Sequence, residues 1–150
     1  MLLGELLIQK KLLTKEQLDR ALDEQKATRD FLGIILVRRN FIKEADLLKV
    51  LCEQFNMPAF DLRPDNVDWE VAMRFTPSLV VDHLCLPIKQ DEASVTVAIA
   101  NPLDVEAISR VQEQAKGMRV KPVLVTMTDM QRTLRAYNER MAEKIKRLLE

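Results

Sequence analysis

The chain contains an internal repeat that constrains how its first third can fold. Residues 2–25 and 31–54 align without a gap at an offset of 29 residues, and seven of the 24 aligned positions are identical. The identical pairs are Leu3/Leu32, Gly4/Gly33, Leu7/Leu36, Leu18/Leu47, Leu22/Leu51, Glu24/Glu53 and Gln25/Gln54. A repeat of this kind indicates two copies of one supersecondary unit.

Each copy predicts a short helix, a turn and a longer helix, because apolar residues recur at spacings of three and four. Thr14 and Gln17 form a capping-box pattern, which places the start of the longer helix at about Lys15. The second copy has Lys43 in place of Thr14, so its cap is weaker. Four helices joined by short turns predict a small bundle whose halves are related by a pseudo-twofold axis.

Four polar or small positions of the repeat admit two interpretations. Gly4 and Gly33 lie at or just inside the starts of short helices, where glycine costs about 1 kcal/mol relative to alanine. They predict close approach, either by another helix or by a ligand. Gln25 and Gln54 end the apolar faces of the longer helices. Each is either a surface residue at a helix end or an amide that hydrogen-bonds a ligand.

The repeat resembles the tandem cyclic di-GMP-binding motif in the N-terminal domain of type II secretion and type IV pilus assembly ATPases. That motif reads R-L-G-x-x-L-x-x-x-G-x-x-x-x-x-x-L-x-x-x-L-x-x-Q and recurs after five residues, as residues 26–30 allow here. The motif positions that match, and which are therefore candidate ligand-binding residues, are Leu3, Gly4, Leu7, Leu18, Leu22, Gln25, Leu32, Gly33, Leu36, Leu47, Leu51 and Gln54.

The resemblance implies that leucines lie against guanine faces and that glutamine amides reach polar edges of a twofold ligand. The leading arginines of the motif are replaced by Leu2 and Phe31, and its second glycines by Lys11 and Asn40. Loss of two charge-assisted hydrogen bonds would weaken ligand binding by about two to four decades. Asn40 can still adopt a left-handed turn. Either Arg29 or Arg38 could stand in for a lost arginine.

The remaining sequence predicts an α+β fold, with the four-helix repeat bundle followed by a small α/β subdomain, a short sheet and a long C-terminal helix. We expect residues 1–62 to form the repeat plus a strand at 59–62, residues 63–68 to be a polar linker, and residues 69–150 to form the second subdomain. In that subdomain we predict strands at 84–88, 94–100 and 120–125. We also predict three helices: one at 69–75 that Thr76–Pro77 ends, one from Asn101–Pro102 to about Lys116, and a final helix capped by Thr128. This half also resembles the same N-terminal region.

The final helix carries an apolar stripe at helical spacing, with charged residues on its other side. The stripe comprises Met130, Leu134, Tyr137, Met141, Ile145 and Leu148. We expect the first half of the helix to pack on the sheet, because an isolated helix is marginal in water. The second half is either a solvated extension or a helix that binds a partner.

Charge and hydropathy exclude several classes of protein. Lys plus Arg and Asp plus Glu each number 23, so the formal charge is zero. Such a balance disfavours DNA or RNA binding and attachment through a polybasic patch. No apolar run approaches the roughly 20 residues that span a bilayer, and the N-terminus lacks the pattern of a secretory signal. A cytoplasmic location is the expectation.

No pattern in the sequence predicts catalysis or a cofactor. The three glycines are far apart, so a phosphate-binding loop is excluded, and no Walker motif is present. Cys52 and Cys85 have no neighbours at metal-ligand spacing and are expected to be small buried side chains. His83, the only histidine, could form a dyad with Cys85, but no third group is signalled. We therefore expect neither an enzyme nor a metal site.

These observations favour a non-catalytic regulatory and docking domain. The family resemblance implies partners in the secretion or pilus machinery, either the cytoplasmic domain of an inner-membrane component or an ATPase core. The alternative is a sensor that binds cyclic di-GMP through both repeats. The sequence leaves open whether the chain stands alone or is a piece of a longer ATPase.

Overall fold

A computed structural model describes residues 2–150, and these form two compact units that divide between Gln54 and Phe55. The division falls at the end of the repeat, before the predicted boundary at position 62. Residues 63–68, predicted to be a linker, lie inside the second unit and contain a 3-10 turn at Pro64–Asn66.

The repeat folds into helices α1 (Leu3–Gln9), α2 (Lys15–Thr28), α3 (Leu32–Arg38) and α4 (Glu44–Phe55). The predicted capping box is present. Thr14 Oγ1 accepts from the Gln17 backbone N–H and Gln17 Oε1 accepts from the Thr14 backbone N–H, both at 3.1 Å. Helix α2 consequently begins at Lys15, as the sequence predicts.

The two short helices end in the same way. Lys11 follows α1 with φ of 61°, and Asn40 follows α3 with φ of 59°. The Lys11 N–H donates to the Ile8 carbonyl at 2.9 Å, and the Asn40 N–H donates to the Val37 carbonyl at 3.0 Å. Both positions at which the family motif has a second glycine therefore keep a left-handed backbone, although neither is glycine.

The second unit has an α+β fold, as predicted. Its elements are α5 (Trp69–Ala72), α6 (Pro77–His83), β1 (Cys85–Gln90), β2 (Ser94–Ile99), α7 (Val105–Gln114), β3 (Arg119–Leu124) and α8 (Met127–Leu149). Over the described residues the sheet has the order β1-β2-β3. Strands β1 and β2 are antiparallel, with an irregularity between Pro87 and Lys89, and β2 and β3 are parallel.

The strand predicted at 59–62 is reduced to a single bridge between Ala59 and Leu124. Two hydrogen bonds hold it: the Phe60 N–H donates to the Leu124 carbonyl at 2.9 Å, and the Leu124 N–H donates to the Pro58 carbonyl at 2.8 Å. The Asp61 carbonyl that follows accepts from the Asn66 side-chain amide at 2.7 Å.

Several helices of the second unit differ from prediction. The helix predicted at 69–75 already ends at Ala72, and Pro77 begins a helix, α6, that was not predicted, since proline is well suited to a first helical position. Helix α7 begins at Val105 instead of near Pro102, because the Asp104 side chain accepts from the Ala107 N–H. Thr126, not Thr128, caps α8.

Helix α8 is buried at one end and exposed at the other. Its buried residues are Met130, Thr133, Leu134 and Tyr137, and the Arg140 guanidinium lies 4.5 Å from the centre of the Trp69 ring. Ile145, Leu148 and Leu149 are exposed. Across residues 2–150, every helix is too short or too polar to cross a bilayer.

Candidate functional site

The structure places most of the twelve candidate ligand-binding residues in the core of the helical unit. The buried members are Leu3, Gly4, Leu7, Leu18, Leu32, Gly33, Leu36, Leu47 and Leu51. Leu22 is 36% exposed whereas its repeat partner Leu51 is only 3% exposed. Gln25 is half-buried and Gln54 is exposed. The two copies thus share a core but differ on the face that carries Leu22.

Gly4 and Gly33 lie against leucines at equivalent positions of the repeat. A Cβ atom added to Gly4 would lie 2.6 Å from Leu18 Cδ1, and one added to Gly33 would lie 2.9 Å from Leu47 Cδ2. The Cβ atom added to Gly33 would also lie 2.7 Å from Cε1 of Phe31. Both glycines thus lie where a side chain would collide with a leucine of the longer helix, which is the close approach by a helix that the sequence allowed.

The Gln25 side chain is engaged within its own copy. Its amide Nε2 donates to the Asp30 carbonyl at 3.1 Å, across the turn that follows α2. Arg29 in this turn has φ of 60° and caps α2. This bond uses one of the two N–H groups of the amide and fixes the orientation of the side chain, and the second N–H is left as a donor.

Among the ion pairs that cross between the copies, two occupy equivalent positions of the repeat. Lys10 Nζ, at the end of α1, lies 3.0 Å from Glu53 Oε2 of α4. Arg39 Nε, at the end of α3, donates to Glu24 Oε1 of α2 at 2.7 Å. Lys10 and Arg39 are 29 residues apart, as are Glu24 and Glu53. These two pairs are reciprocal, as a pseudo-twofold relation requires, and Arg38 adds a further bond from the second copy to Glu24.

Glu24 is the more strongly bound of the two acids. Its side chain is 15% exposed, against 53% for Glu53. Hydrogen bonds from Arg38 and Arg39 lower the pKa of Glu24, and the bonds to Glu24 and Asp30 raise the pKa of Arg38. Arg38 Nη1 donates to Asp30 Oδ2 at 3.1 Å. Arg38 would have to leave these acids to replace a lost motif arginine.

The two positions of the missing arginines differ. Leu2 precedes α1 and is 73% exposed, so a longer side chain could be placed there without disturbing the core. Phe31 precedes α3 and is half-buried, with its ring against Gly33. A Phe31→Arg substitution would therefore remove the contact between the Phe31 ring and Gly33.

Two shallow depressions lie at the helix turns, again in equivalent places. One is lined by Ile8, Lys11, Leu12, Leu13, Thr14 and Gln17, and the other by Leu12, Asn40, Phe41, Ile42, Lys43 and Asp46. Leu12 borders both, so they adjoin. None of the twelve candidate residues lines either depression. The sequence does contain a signal for these two depressions: the 29-residue offset of the repeat aligns the turn residues of one copy with those of the other.

The reactive side chains of the second unit are held in a structural arrangement. His83 Nδ1 lies 2.9 Å from Asp104 Oδ2, which joins the end of α6 to the start of α7. Burial and the nearby Asp104 carboxylate raise the pKa of Cys85 to about 12. The Cys85 thiol donates to the His83 carbonyl at 3.4 Å and so faces its backbone rather than its ring. Within residues 2–150 no group of His, Cys, Asp or Glu side chains converges as a metal site would require.

Comparison with known proteins identifies relatives over both units. The MshEN domain family model matches residues 55–144. A type IV pilus assembly ATPase, PilB, of Myxococcus xanthus is 25% identical over 135 residues, which is 90% of this chain and 24% of that protein. PilB of Thermus thermophilus is 35% identical over 109 residues, which is 72% of this chain and 12% of that protein. The chain thus spans less than a quarter of the length of either relative.

Solved structures of similar fold come from the same kind of domain. The structure of MshE with cyclic di-GMP matches with a TM-score of 0.74 and 25% identity, covering 87% of this chain and 94% of that one. The N-terminal domain of XpsE matches with a TM-score of 0.71 and 20% identity, covering 88% of this chain and 90% of that one. Since the second unit alone cannot supply such coverage, the likeness extends into the helical repeat.

Proposed function

The chain belongs to the MshEN domain family, the N-terminal domain of type II secretion and type IV pilus assembly ATPases, and on that premise we propose that it is a non-catalytic regulatory and docking domain of such a machine. It would act in the cytoplasm by binding another component and biasing its orientation. The component would be the cytoplasmic domain of an inner-membrane protein or an ATPase core.

The observation that carries this proposal is a set of three exposed apolar side chains in the two segments that the His83–Asp104 pair joins. Leu103 and Val105, which flank Asp104, are 43% and 75% exposed, and Val81 on α6 is 42% exposed. Exposed apolar side chains held on a fixed helix junction suit a protein partner. The same junction carries the one histidine, and its arrangement supports packing rather than nucleophilic chemistry, because the Cys85 thiol stays protonated.

The proposal is tested by titrating the chain with the cytoplasmic domain of the inner-membrane component of its own machine. We expect saturable binding that Val105→Asp weakens at least tenfold. Position 105 begins α7, where an acidic residue favours the helix, so the fold is preserved. Leu148→Asp is the matched control, since Leu148 is 77% exposed and lies far along α8. Equal affinity for both variants would rule out this surface.

A second candidate function is cyclic di-GMP sensing through the repeat. Two observations favour it: the cross-repeat ion pairs give the helical unit the twofold character of that ligand, and MshE, at 25% identity, has been solved with it. The left-handed backbone at Lys11 and Asn40 also preserves the turn geometry that the family motif builds with glycine.

Calorimetry with cyclic di-GMP tests this second function. Sensing predicts micromolar or tighter affinity that is abolished by Leu22→Asp, a surface change that leaves the core intact. Gln54→Ala should weaken binding as well, whereas Val105→Asp in the other unit should not. Absence of heat at millimolar ligand would exclude sensing. Leu2→Arg with Phe31→Arg then asks whether the missing arginines limit affinity: a gain of about two to four decades is expected if they do.

A further inference from the structure

The second unit has a groove lined by the segment 56–60 and by residues of the sheet. Hydrogen bonds from Leu124 to Pro58 and from Phe60 to Leu124 fix this segment beside β3. The groove is lined on that side by Met57, Pro58 and Phe60, among others, and on the sheet side by residues of all three strands. One wall is therefore mostly apolar, with Asn56 as its polar residue, and the other is part of the sheet.

Three side chains of the sheet wall form a single row. Lys89 of β1 pairs with Thr96 of β2, and Thr96 pairs with Lys121 of β3. Paired residues of neighbouring strands project from the same face of a sheet. Because strands lie about 4.8 Å apart, the two lysines flank the threonine at a distance that lets both ammonium groups reach one anion above it.

The groove has an excess of positive charge. Arg119 lines it together with the two lysines, and Asp91 is its one acidic residue. The Asp91 carboxylate already accepts from the Ala93 N–H at 2.9 Å and the Ser94 N–H at 2.7 Å, and Lys121 Nζ is 3.9 Å away. Hydrogen bonds from these backbone groups lower the pKa of Asp91. Asp91 thus offsets one cation and leaves two uncompensated.

Thr96 gives an independent indication of a ligand. Its side chain lines the groove although the residue is only 8% exposed. Its hydroxyl makes no hydrogen bond with any residue in the described range 2–150, whereas the neighbouring Ser94 hydroxyl is bonded to Asp91. The hydroxyl is not among the buried unpaired atoms of residues 2–150 and so is open to the groove, where a ligand oxygen can accept from it.

We propose that this groove binds a nucleoside monophosphate. The phosphate accepts from Thr96, Lys89 and Lys121, and the flat base lies against Phe60 and Met57. The cationic row suits the anionic end of such a ligand and the apolar wall suits its ring. This site lies wholly within the second unit and does not depend on the repeat or on the docking surface described above.

NMR titration of the whole chain with AMP tests the proposal, with the Thr96 amide as reporter. We expect saturable shifts with AMP, weaker binding of inorganic phosphate, and none of adenosine. Lys89→Gln and Lys121→Gln should each weaken AMP at least about tenfold, since each removes a charge-assisted bond. Lys146→Gln, on exposed α8, is the matched control and should bind as the wild type does.

Thr96→Val keeps the shape of the side chain and removes its hydroxyl. It should weaken AMP several-fold without lowering the free energy of unfolding, because the hydroxyl has no partner in the free protein. Shifts that fail to saturate at millimolar AMP would overturn the proposal. So would equal binding by wild type and Lys89→Gln/Lys121→Gln, or binding of malonate as tight as that of AMP, which would reduce the groove to an unspecific anion site.

Discussion

Lys10 Nζ lies 3.0 Å from Glu53 Oε2 and so ties the end of the first helix to the last helix of the repeat. The equivalent residues Arg39 and Glu24 make the reciprocal bond. A gapless sequence repeat shows only that two segments share an ancestor or a fold. The exchanged ion pairs show in addition that the two copies associate about a pseudo-twofold axis.

Exchanging the charges of Lys10 and Glu53 should preserve their interaction. Lys10→Glu should lower the free energy of unfolding, and Glu53→Lys in the same chain should restore it. Because both groups are substantially exposed, we expect a coupling of about 0.2–1 kcal/mol that shrinks in high salt. A double-mutant cycle by urea denaturation measures it. Additive effects of the two changes would contradict a direct pair.

Glu24 should make stability depend on pH. Its pKa is lower in the folded than in the unfolded chain, because Arg38 and Arg39 bond its carboxylate. The unfolded state therefore binds more protons, and the contribution present above the ordinary glutamate pKa, about 4.3, is lost as pH falls through the lower folded value. Chemical denaturation from pH 7 to pH 3 measures this. Glu24→Gln should flatten the profile, and Glu16→Gln, on the exposed start of α2, should not.

Gly4 should be sensitive to substitution because of Leu18. Gly4→Ala gains helix propensity of about 1 kcal/mol, but the new methyl overpacks Leu18 at a cost of about 1–3 kcal/mol. The net result should be a loss of about 1 kcal/mol in the free energy of unfolding. In a Leu18→Ala background the sign should reverse, since the obstructing side chain is gone. Loss of stability in both backgrounds would contradict the packing explanation.

Lys11→Gly should stabilise the chain. A left-handed backbone costs an ordinary residue about 1–2 kcal/mol, and glycine avoids this at an entropic cost of about 0.5–1 kcal/mol. We expect a gain of about 0.5–1 kcal/mol, and a smaller gain for Asn40→Gly because asparagine tolerates this conformation. Lys49→Gly, inside α4, is the control and should cost about 1 kcal/mol. A loss for Lys11→Gly would contradict the observed φ.

The sequence predicts the helical unit well because its information is local and present twice. Thr14 and Gln17 form the predicted cap, and the fold class is α+β as expected. The predicted helix boundaries of the second unit are wrong where two nearby residues could each begin or cap the helix. Pro77 is typical of a helix stop in sequence, but α5 ends before it and Pro77 begins α6. Asp104 and Thr126 cap their helices in preference to Asn101 and Thr128.

Long-range contacts are beyond prediction for a different reason. The repeat register pairs Glu24 with Glu53, but it does not reveal that each meets a base from the other copy, because that depends on how the copies associate. The sequence likewise gives no sign that Thr96 has a special role, because there it is one β-branched residue of a buried strand. Only the pairing of β2 with its two neighbours sets it between Lys89 and Lys121.

The proposal that this domain acts by binding a component of its machine is tested most directly by one titration. The purified cytoplasmic domain of the inner-membrane component should bind the chain saturably at one-to-one stoichiometry in calorimetry. Absence of saturable binding, with both proteins shown to be folded, would contradict the docking role.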